Sequence, residues 1–93
     1  MNWVEVIRFR TTTETSPLLV ELQHLLDQAK KEKSCDEIKI YQRTLVDTDL
    51  SIIIFHNNPL VDKNGSSLGL RIASALDEFG MVNHTAWSEI SGP

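Results

Sequence analysis

The stretch Leu50-Ser51-Ile52-Ile53-Ile54-Phe55-His56 decides the fold of this 93-residue chain. Residues Ile52 to Phe55 are four consecutive large side chains, all β-branched or aromatic, and they predict a β-strand. Because side chains alternate along a strand, Ile52 and Ile54 point to one face and Ile53 points to the other. Both faces of the strand therefore need cover, and one layer of helices covers only one of them. The stretch predicts a central strand that is covered from both sides.

The rest of the chain is typical of three further strands and two helices. Strands are predicted over Trp3–Arg10, Asp36–Thr44 and Met81–Ile90, and helices over Pro17–Lys31 and from Ser66 or Ser67 to Phe79. Ser16 and Pro17 are a favourable N-cap and first helical residue. An apolar stripe that includes Leu19 follows them. Gly80 stands where a left-handed residue often ends a helix.

The second and third strands are separated only by the polar residues 46–49, which predicts an antiparallel hairpin whose register stays open by one residue. The order is then βαββαβ, an α+β ferredoxin-like fold. Right-handed, un-knotted connections favour a four-stranded antiparallel sheet in the order 4-1-3-2, with both helices on one face. We expect a single domain over residues 1–93, whose exposed sheet face is covered by a second copy of the chain.

Composition excludes several classes of function. The formal net charge of −4 argues against nucleic acid or an anionic membrane as a partner. No signal peptide or membrane span is predicted, and the single cysteine, Cys35, allows no disulfide within the chain. Three histidines on separate elements give no metal-ligand spacing, and His24 is expected to face solvent. We expect a cytoplasmic protein without a bound metal or cofactor.

The chain resembles the dimeric α+β barrel superfamily, which includes antibiotic-biosynthesis-type monooxygenases and stress-responsive barrels. The topology, length and apolar pattern carry the resemblance over nearly the whole chain. The segment Leu68–Trp87 also looks like the C-terminal half of small uncharacterised bacterial proteins of this type. The resemblance implies a homodimer that binds a quinone, an anthrone, haem or another small molecule between helices and sheet. Some members of the superfamily are cofactor-free oxygenases, and for many no activity is implied.

The strand order brings the start of strand 1 and the ends of strands 3 and 4 to one edge of the sheet. We therefore expect Trp3, His56 and Trp87 to lie close together, with Asn57 beside them. The loop 57–65 would form a lid over this edge. The predicted ligand-binding residues are Trp3, His56, Asn57, His84 and Trp87, and the candidate catalytic residue is His56. The alternative is that the two tryptophans plug the barrel end, that His56 caps the strand through a backbone bond, and that His84 is a satisfied sheet or interface residue.

Two further patterns bear on the ligand. The haem-degrading branch of the superfamily has an asparagine on its first strand and a haem-ligating histidine on a helix, and this chain does not match that placement.

Arg8 and Arg43 could bind an anionic ligand if they face the helices. If they face the dimer core instead, they need a carboxylate such as Glu5 of a second copy. Alternation does not decide between the two faces.

Three functions stay open. The leading hypothesis is a homodimer that binds a small apolar or aromatic molecule. The second is a cofactor-independent monooxygenase of the antibiotic-biosynthesis type. The third is a structural or regulatory dimerisation domain without a ligand.

Overall fold

The computed structural model describes residues 2–11, 15–32, 37–57 and 62–91, and Cys35 lies outside them. The elements are β1 (Trp3–Thr11), α1 (Thr15–Glu32), β2 (Glu37–Arg43), β3 (Val46–His56), α2 (Ser67–Leu76) and β4 (Gly80–Ser88). The strands form one antiparallel sheet in the order β2-β3-β1-β4. This is the predicted order 4-1-3-2 read from the other edge, so the α+β fold is confirmed. The apolar strand β3 lies inside the sheet, as its sequence requires.

One face of the sheet packs against both helices, and we call it the helix face. Alternate residues of β1 and β3 form a core with the apolar stripes of α1 and α2. The core residues are Ile7, Phe9, Leu50, Ile52 and Ile54 from the strands and Leu18, Leu22, Ala29, Leu68, Ile72 and Leu76 from the helices. In the described residues, no helix is long and apolar enough to cross a membrane.

The other face, which we call the open face, is not covered by the helices. Its side chains fall into four rows that run across the sheet, because the strand registers align them. In order along β1 the rows are Glu37, Phe55, Val4 and Trp87; Lys39, Ile53, Val6 and Thr85; Tyr41, Ser51, Arg8 and Asn83; and Asp49, Arg10 and Met81. The first two rows are mainly apolar, and the last two are mainly polar and charged. The open face therefore has an apolar half and a charged half.

The β2–β3 hairpin turns earlier than the sequence predicts. Thr44 and Leu45 form the turn and β3 already begins at Val46, so the predicted polar break over residues 46–49 is wrong. Leu45 has a φ of 66°, and the register shifts between Gln42 and Arg43. Asp49 is accommodated on the strand because it accepts hydrogen bonds from two arginines there.

The helices differ from expectation in several details, and one is that α2 ends at Leu76 and not at the predicted Phe79. α1 begins at Thr15, one residue before the predicted N-cap Ser16, and Leu19 is 44% exposed instead of lying on the buried stripe. The N-cap of α2 is Ser66, one of the two predicted serines, and its hydroxyl accepts a hydrogen bond from the amide of Gly69 at 3.0 Å. Gly80 starts β4 and has no positive φ. A Cβ there would lie 2.0 Å from the carbonyl oxygen of Arg10, so glycine is required for close strand pairing.

Candidate functional site

A buried carboxylate stands at the centre of the polar residues on the helix face. Glu5 of β1 is completely buried, and its Oε1 accepts hydrogen bonds from the Ser66 amide at 2.8 Å and from His84 Nε2 at 2.9 Å. Its Oε2 lies 2.6 Å from His56 Nε2 and also accepts from the Ser66 hydroxyl. We call Glu5, His56, Ser66 and His84 the Glu5 cluster. Both carboxylate oxygens are satisfied, which is what burial of a charge requires.

Three strands and a helix start assemble this cluster. His56 pairs with Trp3 across β3 and β1, and His84 pairs with Ile7 across β1 and β4, so the two imidazoles flank Glu5 diagonally. Ser66 brings the N-terminus of α2 to the same point. The carboxylate therefore lies at the positive end of the helix dipole, where a negative charge is stabilised. The cluster fixes α2 on the sheet.

Two glycines leave room for the cluster. A Cβ at Gly69 would lie 2.0 Å from Glu5 Oε1. A Cβ at Gly65 would lie 2.3 Å from Cε1 of His84, and Gly65 also has a φ of 94° that side chains rarely adopt. The Gly65-Ser66-Ser67-Leu68-Gly69 stretch is thus a turn and helix cap built around Glu5.

The hydrogen bonds determine the protonation of the cluster. Burial alone raises the pKa of Glu5, but the bonds from Ser66, His56 and His84 together outweigh it and hold that pKa below its ordinary value of 4.5. Glu5 is therefore ionised near neutral pH. Because an ionised carboxylate only accepts hydrogen bonds, each histidine donates from Nε2 to Glu5. The cluster has the groups of a carboxylate-supported general base.

Trp3 and His56 come together as predicted at the end of the sheet. Their rings stack with centroids 4.2 Å apart and an interplanar angle of 17°. His56 bonds to the side chain of Glu5, a partner that the sequence did not suggest. Both rings are nearly completely buried. This pair is an aromatic wall on the helix face.

Trp87 does not join this pair, and its predicted position is wrong. Trp87 is aligned with Val4, so it lies on the open face, where it is 60% exposed. Its Nε1 donates to the hydroxyl of Thr85 at 2.8 Å. The residue aligned with Trp3 is Ser88. The edge of the sheet at which Trp87 lies was predicted correctly, but the face to which its side chain points was not.

The other predicted residues divide between the cluster and solvent. His84 belongs to the cluster, whereas Asn57 is exposed just beyond β3. The predicted lid lies partly outside the described residues, because residues 58–61 are not described. His24 is exposed on α1, as expected. The described part of the chain contains no group of three His, Cys, Asp or Glu side chains arranged to hold a metal ion.

Sequence reasoning missed Glu5 and Ser66 as members of the site. The available signal was the alternation of β1, in which Glu5 shares a face with Trp3, Ile7 and Phe9. A single carboxylate on a face that is otherwise apolar requires buried donors. His56 and His84 were candidate donors, but only the strand register shows that both lie beside Glu5.

The arginines of β1 and β2 lie on the open face. Arg10 Nε donates to Asp49 Oδ1 at 2.9 Å, and Arg43 Nη1 donates to Asp49 Oδ2 at 3.2 Å. The expectation that such an arginine would need Glu5 of a second copy is wrong, because Glu5 is buried on the helix face. Asp49 is the carboxylate that serves Arg10 and Arg43.

Comparisons with known proteins show the fold and nothing finer. No protein-family model matches the sequence, and no curated protein is significantly similar to it. Among solved structures, that of Rv0793 from Mycobacterium tuberculosis matches with a TM-score of 0.71 and 15% sequence identity. The match covers 99% of this chain and 98% of that chain. The chain therefore has the same fold as Rv0793 over its full length.

Proposed function

We propose that this chain forms a homodimer through its open face and binds a small apolar or aromatic molecule on the helix face, beside the Glu5 cluster. The observation that carries the proposal is the fully buried Glu5 carboxylate with a histidine on each oxygen. This arrangement holds two imidazoles in one tautomer inside an otherwise apolar core. The resemblance to dimeric α+β barrels, whose members bind ligands between helices and sheet, points to the same place.

His84 is the more accessible of the two histidines in the cluster. Its side chain is 14% exposed, compared with 5% for His56, so a ligand reaches the cluster through His84. The Nδ1 of a neutral His84 accepts a proton or a hydrogen bond from a ligand hydroxyl, while Glu5 stabilises the resulting imidazolium. The nearly buried Trp3–His56 stack lies on the same face of the sheet and holds His56 beside Glu5, so His84 is the group that meets the ligand.

The apolar half of the open face supports the homodimer. Val4, Val6, Ile53 and Phe55 are only half-buried there, and Trp87 is 60% exposed. Monomeric soluble proteins rarely expose a contiguous apolar patch of this kind. A second copy covers it with an identical surface, as expected for a two-fold dimer.

A cofactor-independent monooxygenase is the second candidate function. The observation that favours it is the His84–Glu5 pair, since a histidine backed by a carboxylate removes a phenolic proton and so prepares an electron-rich ring for reaction with dioxygen. Oxygen uptake with a quinol or an anthrone as substrate distinguishes this enzyme from a binding protein. Uptake that is lost in His84→Gln supports the enzyme.

Ligand binding is tested with 1-naphthol, a neutral aromatic molecule with one phenolic proton. The chain has only two tryptophans, so the Trp87→Phe protein reports on Trp3 alone. We expect a saturable change in Trp3 fluorescence, and about tenfold weaker binding in a Trp87→Phe, His84→Gln protein, because the hydrogen bond to an imidazole backed by a charge is lost.

His24→Gln is the matched control, because His24 is exposed on α1, outside the cluster. This variant should bind 1-naphthol like the parent protein. No saturable change, or equal affinity in the His84→Gln and His24→Gln proteins, would contradict the proposed site. Either result would favour the purely structural domain.

A further inference from the structure

The charged half of the open face contains a cavity of about 570 Å³. This volume is within the range of small-molecule sites. Its lining includes Arg8, Arg10, Tyr41, Arg43, Asp49 and Met81. It lies on the opposite side of the sheet from the Glu5 cluster, so the two sites are separate.

The charges around this cavity do not balance. It has three guanidinium groups and one carboxylate, which leaves a net charge of +2 in a chain whose net charge is −4. The hydrogen bond from Arg10, supported by Arg43, lowers the pKa of Asp49, so the carboxylate is ionised. Both oxygens of Asp49 are taken by Arg10 and Arg43. Arg8 forms no ion pair within the described part of the chain.

The surroundings of Arg8 are those of a recognition site. Tyr41, Ser51, Arg8 and Asn83 form one row across all four strands. Arg8 is thus paired with Ser51 on β3 and with Asn83 on β4, so a hydroxyl and an amide side chain flank it. Tyr41 is 48% exposed and Met81 is 74% exposed, and both line the same cavity with apolar surface. Polar residues thus flank Arg8 in its row, and apolar surface borders them.

We infer that this cavity binds a small organic anion, with its carboxylate on Arg8 and an apolar or aromatic body against Tyr41 and Met81. A guanidinium presents parallel N–H groups that match the two oxygens of a carboxylate. Ser51 and Asn83 supply further hydrogen bonds beside it. Tyr41 offers an aromatic surface for an offset-stacked ring.

The anion also fits a dimer that assembles over the open face. An arginine that becomes enclosed without a counter-charge is costly. Glu5 of a second copy cannot supply that charge, because it is buried and fully bonded on its own helix face. A bound anion supplies it. All the lining residues of the cavity belong to one chain.

The test compares 1-naphthoate, its neutral amide 1-naphthamide and inorganic phosphate, using amide chemical shifts of the wild-type protein. Naphthoate should shift the resonances of Arg8, Tyr41 and Asn83 saturably. Naphthamide should bind about tenfold more weakly, as should naphthoate to Arg8→Gln, because a charge-assisted hydrogen bond is lost in each case. Binding of naphthoate should also weaken as salt is raised.

Arg71→Gln is the matched control, because Arg71 is exposed on α2, on the other side of the sheet, and the substitution changes the net charge equally. It should leave the affinity for naphthoate unchanged. The inference is overturned if naphthoate causes no saturable shift at Arg8, or if Arg8→Gln and Arg71→Gln weaken binding equally. Saturation by phosphate but not by naphthoate would overturn the assignment of a carboxylate ligand.

Discussion

Glu5 and Arg8 lie three residues apart on β1 and point to opposite faces of the same sheet. Glu5 is completely buried and all its hydrogen bonds come from its own chain. Arg8 is exposed beside a cavity with excess positive charge. A charge that is satisfied internally contributes to the fold, whereas a charge such as Arg8, which forms no ion pair with the described residues, is available to bind something else. Substitutions on the helix face should therefore affect stability, and substitutions on the open face should affect association and binding.

The adjacent residues Ile53 and Ile54 give the sharpest contrast between the faces. Ile54 is completely buried in the core, so Ile54→Ala should lower the free energy of unfolding by about 4 kcal/mol. Ile53 is half-buried on the open face, and Ile53→Ala should cost less than half as much in the monomer. Urea unfolding at low protein concentration measures both. Equal losses would contradict the assignment of the faces.

Removal of the central carboxylate should have the next largest effect. Glu5→Ala leaves the Ser66 amide and two histidines without their acceptor, and we expect a loss of about 3 kcal/mol in unfolding free energy. Asp49→Ala is the control, since Asp49 also binds two cationic side chains but on the exposed face. Its effect on stability should be much smaller. A similar loss in both variants would show that the buried Glu5 carboxylate contributes no more to stability than the exposed ion pairs of Asp49.

The space left by Gly69 tests the packing of the cluster. Alanine normally favours a helix over glycine, but at this position its Cβ would collide with Glu5. Gly69→Ala should therefore lower the free energy of unfolding by about 2 kcal/mol. The exposed residue Ser74 of the same helix is the control, and Ser74→Ala should be neutral or slightly stabilising. Stabilisation by Gly69→Ala, measured by thermal unfolding, would contradict the model of the cluster.

The pH dependence of stability should show the smallest effect. The pKa of Glu5 is lower in the folded chain than its ordinary value of 4.5. Its contribution is thus complete above pH 4.5 and is lost as the pH falls through the folded pKa. The stability advantage of the wild type over Glu5→Gln should shrink on acidification from pH 6 towards pH 3. An advantage that is constant over this range, measured by urea unfolding, would show that folding does not lower the pKa of Glu5.

The sequence predicted the sheet because the signal for it is strong and local. Both faces of the apolar run in β3 had to be covered, which placed that strand inside the sheet. The cap at Ser66 was predictable for the same reason, since serine before an apolar stripe stabilises a helix start. The β2–β3 turn was not predictable. Thr44 and Leu45 have no turn preference, and the acidic residue that suggested a turn is held on the strand by arginines of two neighbouring strands.

The candidate site was only partly predictable because it depends on register. Topology alone brings Trp3 and His56 to the same edge. Whether Trp87 or Ser88 aligns with Trp3 is decided by a shift of one residue, and that shift reverses the face of every side chain on β4. The role of Glu5 required the same knowledge, because its partners are 51, 61 and 79 residues away in the chain.

The central claim is that the open face binds a second copy of the chain. Sedimentation tests it most directly, with the wild-type protein and an Ile53→Glu variant compared at micromolar concentration. The wild type should sediment at about twice the 10.5 kDa mass of the chain. Ile53→Glu places a charge in the apolar half of the open face and should sediment as a folded monomer with unchanged circular dichroism. A wild-type monomer, or an Ile53→Glu variant that remains dimeric, would contradict the claim.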